Sequence, residues 1–213
     1  MAEMLVRNRV PSQERKANYY ATILQQSERL SHLIDNLLDF TKMEEGHKVF
    51  HFEKADIVPA VKNIVELFRE MTTGSEFQIH LAIPDHLPKI IFDREAIEQM
   101  VYNLIDNAVK YSRESKVIDV QLISEGSNII FSVQDYGAGI RKEDQEKIFS
   151  RFYRGGEELS QNVKGSGIGL AIVKQIVAAH HGEITVESSP GKGSKFSVKL
   201  PVKNAYEEKN INC

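Results

Sequence analysis

The sequence predicts an α/β two-layer fold, in which a mixed sheet packs on helices, preceded by a helical segment. Residues 13–45 contain neither glycine nor proline and carry apolar side chains at helical spacing. After Gly46 the pattern changes to short alternating stretches separated by further helical ones. Strand-like stretches near 117–133 and 183–200 are joined by turns, as in hairpins, so we expect antiparallel pairs and a mixed sheet.

Composition is typical of a globular protein. The chain has 213 residues, of which 41% are hydrophobic and 27% charged, with a net charge of −3. Because the charges balance, nothing indicates a nucleic-acid surface, and we expect no nucleic-acid partner. The single cysteine, Cys213, excludes an intramolecular disulfide and a cysteine-based zinc site. No apolar stretch approaches the ~20 residues of a membrane-spanning helix, so we expect a cytoplasmic chain.

The first 46 residues predict a helix that is broken once, at Pro11, with Ser12 as the N-cap of the longer part. Seven positions then step by three and four residues, which is the spacing of a helix packed lengthwise on another helix. This seam consists of Tyr20, Ile23, Ser27, Leu30, Ile34, Leu37 and Thr41. Two interpretations remain open, a helical hairpin closing on its own domain and half of an intermolecular four-helix bundle. The length of the seam favours the bundle.

The region from 47 to 111 predicts three strands and two helices. Alternation of apolar residues predicts strands at 49–52 and 77–83, and a short apolar run predicts one at 90–92. Apolar residues at helical spacing predict a helix from Asp56 or Ile57 to about 71. They predict another, capped by Asp93, that continues to about 111.

The remaining residues predict two hairpins, one short helix and one long helix. The predicted strands are 117–123, 129–133, 183–187 and 195–200, and the predicted helices are 142–149 and 168–179. Residues 154–165 are polar and glycine-rich and predict a mobile loop, and residues 203–213 predict a polar tail.

The helix at 93–111 carries a polar strip beside its apolar face. Asn103, Asn107 and Lys110 with Tyr111 follow one another at helical spacing. An asparagine carbonyl is a hard oxygen ligand that suits Mg²⁺, and a lysine is a point charge for phosphate. On this segment alone, a solvated polar face without function is the simpler interpretation.

Two glycine-rich motifs flank this region of the sequence. Asp135-Tyr136-Gly137-Ala138-Gly139-Ile140 directly follows a predicted strand, and its glycines allow a backbone to approach a flat ligand closely. Gly165-Ser166-Gly167-Ile168-Gly169-Leu170 opens a helix, where backbone amides favour an anion. Each motif alone is weak, since the first also fits a tight turn stabilised by its aspartate.

Taken together, the order and spacing of these motifs are specific. An N-x₃-N helix is followed 28 residues later by D-x-G-x-G, then by F-x₂-F, then by G-x-G-x-G about 30 residues after the first glycine motif. This series resembles the catalytic part of bacterial sensor histidine kinases, in the wider family shared with gyrase B, Hsp90 and MutL ATPases. The matching segments are 99–112, 135–140, 149–154, 164–170, 181–184 and 191–196, and residues 29–46 resemble the second helix of the kinases' dimerisation and phosphotransfer hairpin.

The resemblance implies an organisation and two cofactors. Residues 47–202 would form a Bergerat-type ATP-binding domain that uses ATP and Mg²⁺. Residues 1–46 would form a partial dimerisation and phosphotransfer hairpin, and 203–213 a polar tail.

Within the domain, the resemblance implies that Asp135 holds the amine of adenine. Gly137 and Gly139 would shape the pocket for the base, and Tyr111 and Ile140 would flank it.

For the phosphates, the resemblance implies that Asn107 binds Mg²⁺ while Asn103, Lys110 and Arg154 contact phosphate oxygens and act in catalysis. Residues 154–164 would form a lid over the nucleotide. The further implied nucleotide contacts are Phe152, Lys164, Gly165, Ser166, Gly167, Ile168, Gly169 and Leu170.

The implied activity is ATP-dependent protein-histidine kinase activity in a two-component system, with a response regulator as partner and a homodimer formed through the hairpin. The family's acceptor motif, H-E/D-x-K/R-T-P, follows none of the seven histidines. We therefore expect an acceptor histidine upstream of this sequence and no autophosphorylation by this chain. Any membrane anchor would likewise lie outside it.

Two alternatives belong to other classes, an ATP-hydrolysing clamp of the gyrase, Hsp90 and MutL kind and a nucleotide-binding dimerisation module without phosphotransfer. The clamp ATPases place a general-base glutamate four residues before the Mg²⁺-binding asparagine. Asn103 occupies that position here, and an amide cannot accept a proton from water. The sequence therefore favours the kinase.

Overall fold

The computed structural model describes residues 47–112, 114–153 and 167–202, together with residues 12, 13, 15–17, 19, 20, 22, 23, 34, 38, 41, 42 and 45. Two compact units divide between Lys48 and Val49. The predicted loop at 154–165 and the predicted tail at 203–213 lie outside the described residues, as do the first 11 residues.

In the first unit, the predicted N-cap is confirmed. Ser12 Oγ accepts a hydrogen bond from the Arg15 N–H at 3.2 Å, and the Ser12 carbonyl accepts one from Lys16 at 3.1 Å. Four seam positions are described, and all are helical: Tyr20, Ile23 and Ile34 are 61%, 37% and 49% exposed, and Thr41 is also exposed. Ser27, Leu30 and Leu37 lie outside the described residues.

The second unit is built on a five-stranded mixed sheet, which confirms the predicted sheet class. Its strands are β2 (Gln78–Ala82), β4 (Val117–Glu125), β5 (Asn128–Asp135), β6 (Glu183–Ser188) and β7 (Ser194–Pro201). Their order across the sheet is β2-β4-β5-β7-β6, in which β2 and β4 run parallel and the other neighbours antiparallel. A separate two-stranded sheet pairs β1 (Glu53–Ala55) with β3 (Ile90–Phe92).

Among the described residues of this unit, three α-helices accompany the sheet, and local sequence signals start two of them. Asp56 accepts a hydrogen bond from the Val58 N–H at 2.9 Å at the start of α1 (Val58–Met71). Asp93 caps α2 (Arg94–Tyr111) by accepting from the Ala96 N–H at 2.9 Å, as predicted. The third helix, α3 (Gly169–Ala179), packs against α2.

The core lies between the helices and one face of the sheet. Alternate residues of β4, β5 and β7 are buried, as expected for strands with one covered face. On the helix side of the core, the apolar face of α2 is buried. The largest fully buried side chains include Met100, Leu104, Ile105, Ile118, Leu122 and Phe131.

Two predicted elements differ from the structure. The predicted strand at 49–52 is wrong, because the strand is β1 at Glu53–Ala55 and the alternating rings of Phe50 and Phe52 pack on His180 instead. The single helix predicted at 142–149 is two short 3₁₀ helices, Lys142–Asp144 and Lys147–Phe149. No helix among the described residues is long and apolar enough to cross a membrane.

Candidate functional site

The base loop, residues 135–140, follows β5 and contains the first glycine motif. Asp135 is 3% exposed, and its Oδ1 accepts a hydrogen bond from the Gly137 N–H at 2.9 Å. Burial raises the pKa of the Asp135 carboxyl above its ordinary value, while hydrogen bonds from the backbone of Gly137 and Ser194 oppose that rise. The backbone thus fixes a buried acceptor at the end of β5.

Two glycines of the base loop leave no room for a side chain. A Cβ at Gly137 would lie 1.9 Å from the Tyr111 carbonyl oxygen, which also accepts from the Ala138 N–H at 3.1 Å. A Cβ at Gly139, where φ is +66°, would lie 1.9 Å from the carbonyl oxygen of Ser189. The loop is therefore held between the end of α2 and the supporting turn, which we define as residues 188–194.

The polar strip of α2 is partly buried. Asn103 is 5% exposed, and its Nδ2 donates to the Gln99 carbonyl at 2.9 Å. Asn107 is half-buried, and Lys110 forms an ion pair with Asp106 one turn earlier. The strip therefore contains amide groups and one paired cation, rather than a row of fully solvated side chains.

The second glycine motif brings α3 against α2. A Cβ at Gly169, the first residue of α3, would lie 2.9 Å from Asn103 Oδ1. Gly167 has φ +72°, and its carbonyl accepts from the Phe152 N–H at 3.0 Å. Phe152 has φ +56° and is 65% exposed, so this phenylalanine of the F-x₂-F stretch does not enter the core.

The structure brings most of the predicted site residues together around α2. Tyr111 at the end of α2 contacts the base loop, and Asn103 in its middle faces the start of α3. Ile168 is buried, whereas Ile140 and Leu170 are half-buried. The positions that lie outside the described residues are Arg154, Lys164, Gly165 and Ser166.

Sequence reasoning missed Asp144, which bonds to the tyrosine directly after the F-x₂-F stretch. The hydroxyl of Tyr153 donates to Asp144 Oδ1 at 2.5 Å, and Arg141 Nε donates to Asp144 Oδ2 at 3.1 Å. These bonds hold the pKa of Asp144 below its ordinary value. The only sequence signal for the contact between Arg141 and Asp144 is their spacing of three residues.

It also missed Ser188 and Gln145, whose side chains bond to the base loop at Ile140. Ser188 directly follows the strand predicted at 183–187, Gln145 lies inside the helix predicted at 142–149, and neither position carries a motif.

Two family models match the chain. The family described as "Histidine kinase-, DNA gyrase B-, and HSP90-like ATPase" matches residues 92–204. The family described as "His Kinase A (phospho-acceptor) domain" matches residues 1–46. The second match falls within the first unit, and the first covers the second unit from Phe92 onward, so residues 47–91 lie between the two matches.

Individual proteins are similar over nearly the whole chain. The alginate biosynthesis sensor protein KinB of Pseudomonas aeruginosa is 32% identical over 95% of this chain, which spans 34% of KinB. The Acinetobacter baumannii histidine kinase AdeS superposes with a TM-score of 0.71 and 25% identity, covering 95% of this chain and 92% of that structure. ShkA, solved in complex with AMPPNP, gives a TM-score of 0.73 at 26% identity, covering 92% of this chain and 40% of ShkA.

Proposed function

Because the chain belongs to the histidine kinase-, DNA gyrase B- and HSP90-like ATPase family and comprises the catalytic region of a sensor histidine kinase, we propose that it binds ATP·Mg²⁺ and transfers the γ-phosphoryl group to a histidine. The matched ATPase domain is nucleotide-binding. The observation that carries the proposal is the meeting of the base loop and the start of α3 on one helix, α2.

The base loop is suited to adenine. The Asp135 carboxylate accepts a hydrogen bond from the exocyclic amine, while Gly137 and Gly139 keep the backbone close enough to a flat base. Tyr111 and Ile140 flank that base. A carboxylate rejects guanine, since guanine presents a carbonyl oxygen at the corresponding position and two acceptors cannot bond.

The polar strip of α2 is suited to the phosphates and to one cation. The Asn107 amide oxygen is a hard ligand of the kind that Mg²⁺ accepts beside phosphate oxygens and water. Bound there, Mg²⁺ would neutralise charge on the phosphates. Asn103 donates to a phosphate oxygen, and Lys110 does so in exchange for its present ion pair with Asp106. Arg154 supplies a further cation.

The reaction breaks the bond between the γ-phosphorus and the bridging oxygen, so that ADP leaves, and forms a bond from phosphorus to the unprotonated ring nitrogen of a neutral histidine. The proton on the other ring nitrogen is then released to solvent water. Positioning and charge stabilisation account for most of the rate enhancement in phosphoryl transfer. A general base on α2 is not part of the proposal, because Asn103 carries an amide.

Calorimetry with ATP tests the proposal directly. We expect binding that is stronger with Mg²⁺ than with a chelator. We also expect Asn107→Ala to lose that difference, since it removes the proposed ligand. Asn63→Ala, the same substitution on an exposed face of α1, is the matched control and should keep it. A folded parent that binds no ATP with Mg²⁺ present would overturn the proposal.

Phosphotransfer needs a second measurement. With labelled ATP alone, the chain should gain no acid-labile phosphate, because none of its seven histidines lies in the acceptor motif. A separate protein that carries the intact motif should be labelled in its presence. Labelling of a histidine in this chain would show that it contains its own acceptor.

We further propose that the seam of the first unit forms a homodimer and that the phosphohistidine is passed to a response regulator. The exposure of Tyr20, Ile23 and Ile34 supports a helical partner. Because the reaction consumes ATP, the proposed location is the cytoplasm. In analytical ultracentrifugation, Ile23→Glu should dissociate the dimer, whereas Leu67→Glu, an equally apolar-to-charged change at an exposed site on α1, should not.

A further inference from the structure

Ser188, the last residue of β6, uses the full bonding capacity of its hydroxyl. Oγ accepts from the Ile140 N–H at 2.8 Å and donates to the Gly193 carbonyl at 2.7 Å, and Ser194 Oγ lies 3.0 Å away. A serine hydroxyl has one hydrogen and two acceptor positions. Since its hydrogen goes to Gly193, Ser194 must be the donor in their contact. The three partners thus fix the orientation of the hydroxyl.

The supporting turn and the base loop are bonded along their whole contact. The Gly191 N–H donates to the Ala138 carbonyl at 2.7 Å, and the Gly193 N–H donates to the Gly137 carbonyl at 3.1 Å. These backbone bonds hold the middle of the base loop. Ser188 holds its far end, at Ile140, through a side chain.

A glutamine closes the same junction from the other side. Gln145 Nε2 donates to the Ser188 carbonyl at 2.9 Å and to the Ile140 carbonyl at 3.3 Å. The backbone of Ile140 is therefore bonded by side chains at both its N–H, through Ser188, and its carbonyl, through Gln145. An ordering of this kind before a ligand binds reduces the entropic cost of binding.

We propose that Ser188 is a positioning residue for adenine recognition, which sets the conformation of the base loop through the Ile140 N–H and does not touch the nucleotide. The proposal rests on the assignment of the base loop to adenine. Ser188 holds the end of the base loop opposite Asp135, so that Ile140, which flanks the base, stays at a fixed distance from the Asp135 carboxylate.

Removal of the hydroxyl should weaken ATP binding. Ser188→Ala leaves the Ile140 N–H without its acceptor, and we expect the dissociation constant for ATP to rise by about tenfold. We also expect the preference for ATP over GTP to narrow, because the base is no longer held at a fixed distance from Asp135. Ser188→Thr restores the hydroxyl on a side chain that suits a strand, and should restore both values.

The experiment is calorimetry with ATP and with GTP on the parent, Ser188→Ala, Ser188→Thr and a control, Ser197→Ala. Ser197 is also half-buried in this hairpin, in the middle of β7. Amide hydrogen exchange without nucleotide provides a second readout, in which the Ile140 N–H should exchange faster in Ser188→Ala. Gln145→Ala keeps the Ser188 hydroxyl but removes the bond to the Ile140 carbonyl, so it should weaken ATP binding less than Ser188→Ala does. It replaces Ser188→Ala in the test if that variant does not fold.

The outcomes separate the two proposals. A parent that binds no ATP would overturn the proposed function. A parent that binds ATP while Ser188→Ala matches it in affinity and in ATP-over-GTP preference would overturn the role of Ser188 alone. A loss in Ser188→Ala that Ser188→Thr does not restore would also overturn it, because the hydroxyl would not be the cause.

Discussion

Two regions of the second unit join segments that are distant in sequence, the His180 cluster and the base loop with its supporting turn, and they are held together by different kinds of contact. The His180 cluster consists of His180, Asp93, Phe50 and Phe52. His180 is 1% exposed. Its Nε2 accepts a hydrogen bond from the Asp93 N–H at 3.0 Å, and its Nδ1 lies 2.8 Å from the carbonyl oxygen of Ile176. The rings of Phe50 and Phe52 meet it edge-on at 5.9 and 5.0 Å.

The base loop and its supporting turn contain no comparable side-chain core. Their contacts are backbone bonds, a few hydrogen bonds from polar side chains such as Ser188 and Gln145, and three places where a Cβ would meet backbone at about 2 Å, at Gly137, Gly139 and Gly193. The His180 cluster gains free energy of folding from the packing of one buried and two half-buried rings, whereas the loop gains a defined shape from glycines that carry no side chain. Substitutions should therefore affect stability at the first site and ligand binding at the second.

The largest effect is expected at Gly139. An alanine there adds a Cβ 1.9 Å from the Ser189 carbonyl oxygen, so the loop or the turn must move, and ATP binding should fall by more than about 100-fold. Calorimetry measures this loss. Gly126→Ala is the matched control, because Gly126 also has a left-handed φ, of +59°, but a Cβ there meets nothing within 4 Å.

The control separates backbone strain from the clash. Gly126→Ala should cost about 1 kcal/mol of unfolding free energy, from the left-handed conformation alone, and leave ATP binding intact. Equal losses of binding in the two variants would mean that close packing on the supporting turn is not what the base loop requires.

The second prediction concerns His180, where we expect a loss of stability without a loss of ATP binding. His180→Ala removes a buried ring and leaves the Asp93 N–H without its acceptor, so the free energy of unfolding should fall by about 3 kcal/mol. Denaturant unfolding measures the change, with His86→Ala at an exposed position as the control. The ATP affinity of the folded variant should remain close to that of the parent. A loss of affinity comparable to that of Gly139→Ala would contradict the separation of the two clusters.

The third prediction concerns the acceptor itself. Asp135→Asn replaces a carboxylate with a weaker, neutral acceptor, and the dissociation constant for ATP should rise by about tenfold while discrimination against GTP declines. Titration with both nucleotides measures this. An unchanged affinity and an unchanged preference would remove Asp135 from the adenine contact.

Features that repeat along the sequence could be predicted, and contacts between single side chains could not. The α2 helix, its Asp93 cap and the two hairpins β4–β5 and β6–β7 follow from periodicity and turns. The convergence of Asn103 and Gly169 could be expected only from the resemblance. Ser188, one polar residue in a strand, gives no periodic signal, and its role depends on the parallel and antiparallel pairing that places β6 beside the base loop.

His180 illustrates the same limit. His180 and His181 both follow directly on the helix predicted at 168–179, and nothing in the sequence shows which of them lies at the helix end and which is buried. The structure places His181 there with φ +57°, while the adjacent His180 is the buried one. The alternation of Phe50 and Phe52 predicts a strand there. No local pattern shows that both rings instead pack on His180, which lies far away in the sequence.

The smallest predicted effect is the pH dependence of the His180 cluster. Burial lowers the pKa of His180 below its ordinary value of 6.5 and His181 lowers it further, while the Ile176 carbonyl and the Asp93 carboxylate partly offset these effects. The unfolded chain therefore takes up a proton, as pH falls below about 6.5, that the folded chain does not bind. The free energy of unfolding should decrease in that range by at most about 1.4 kcal/mol per pH unit for this one group. Denaturant unfolding between pH 8 and 5.5 measures it. His180→Gln should show a shallower decrease than the parent and His86→Gln the same decrease, so equal slopes in all three would show that His180 does not couple protonation to folding.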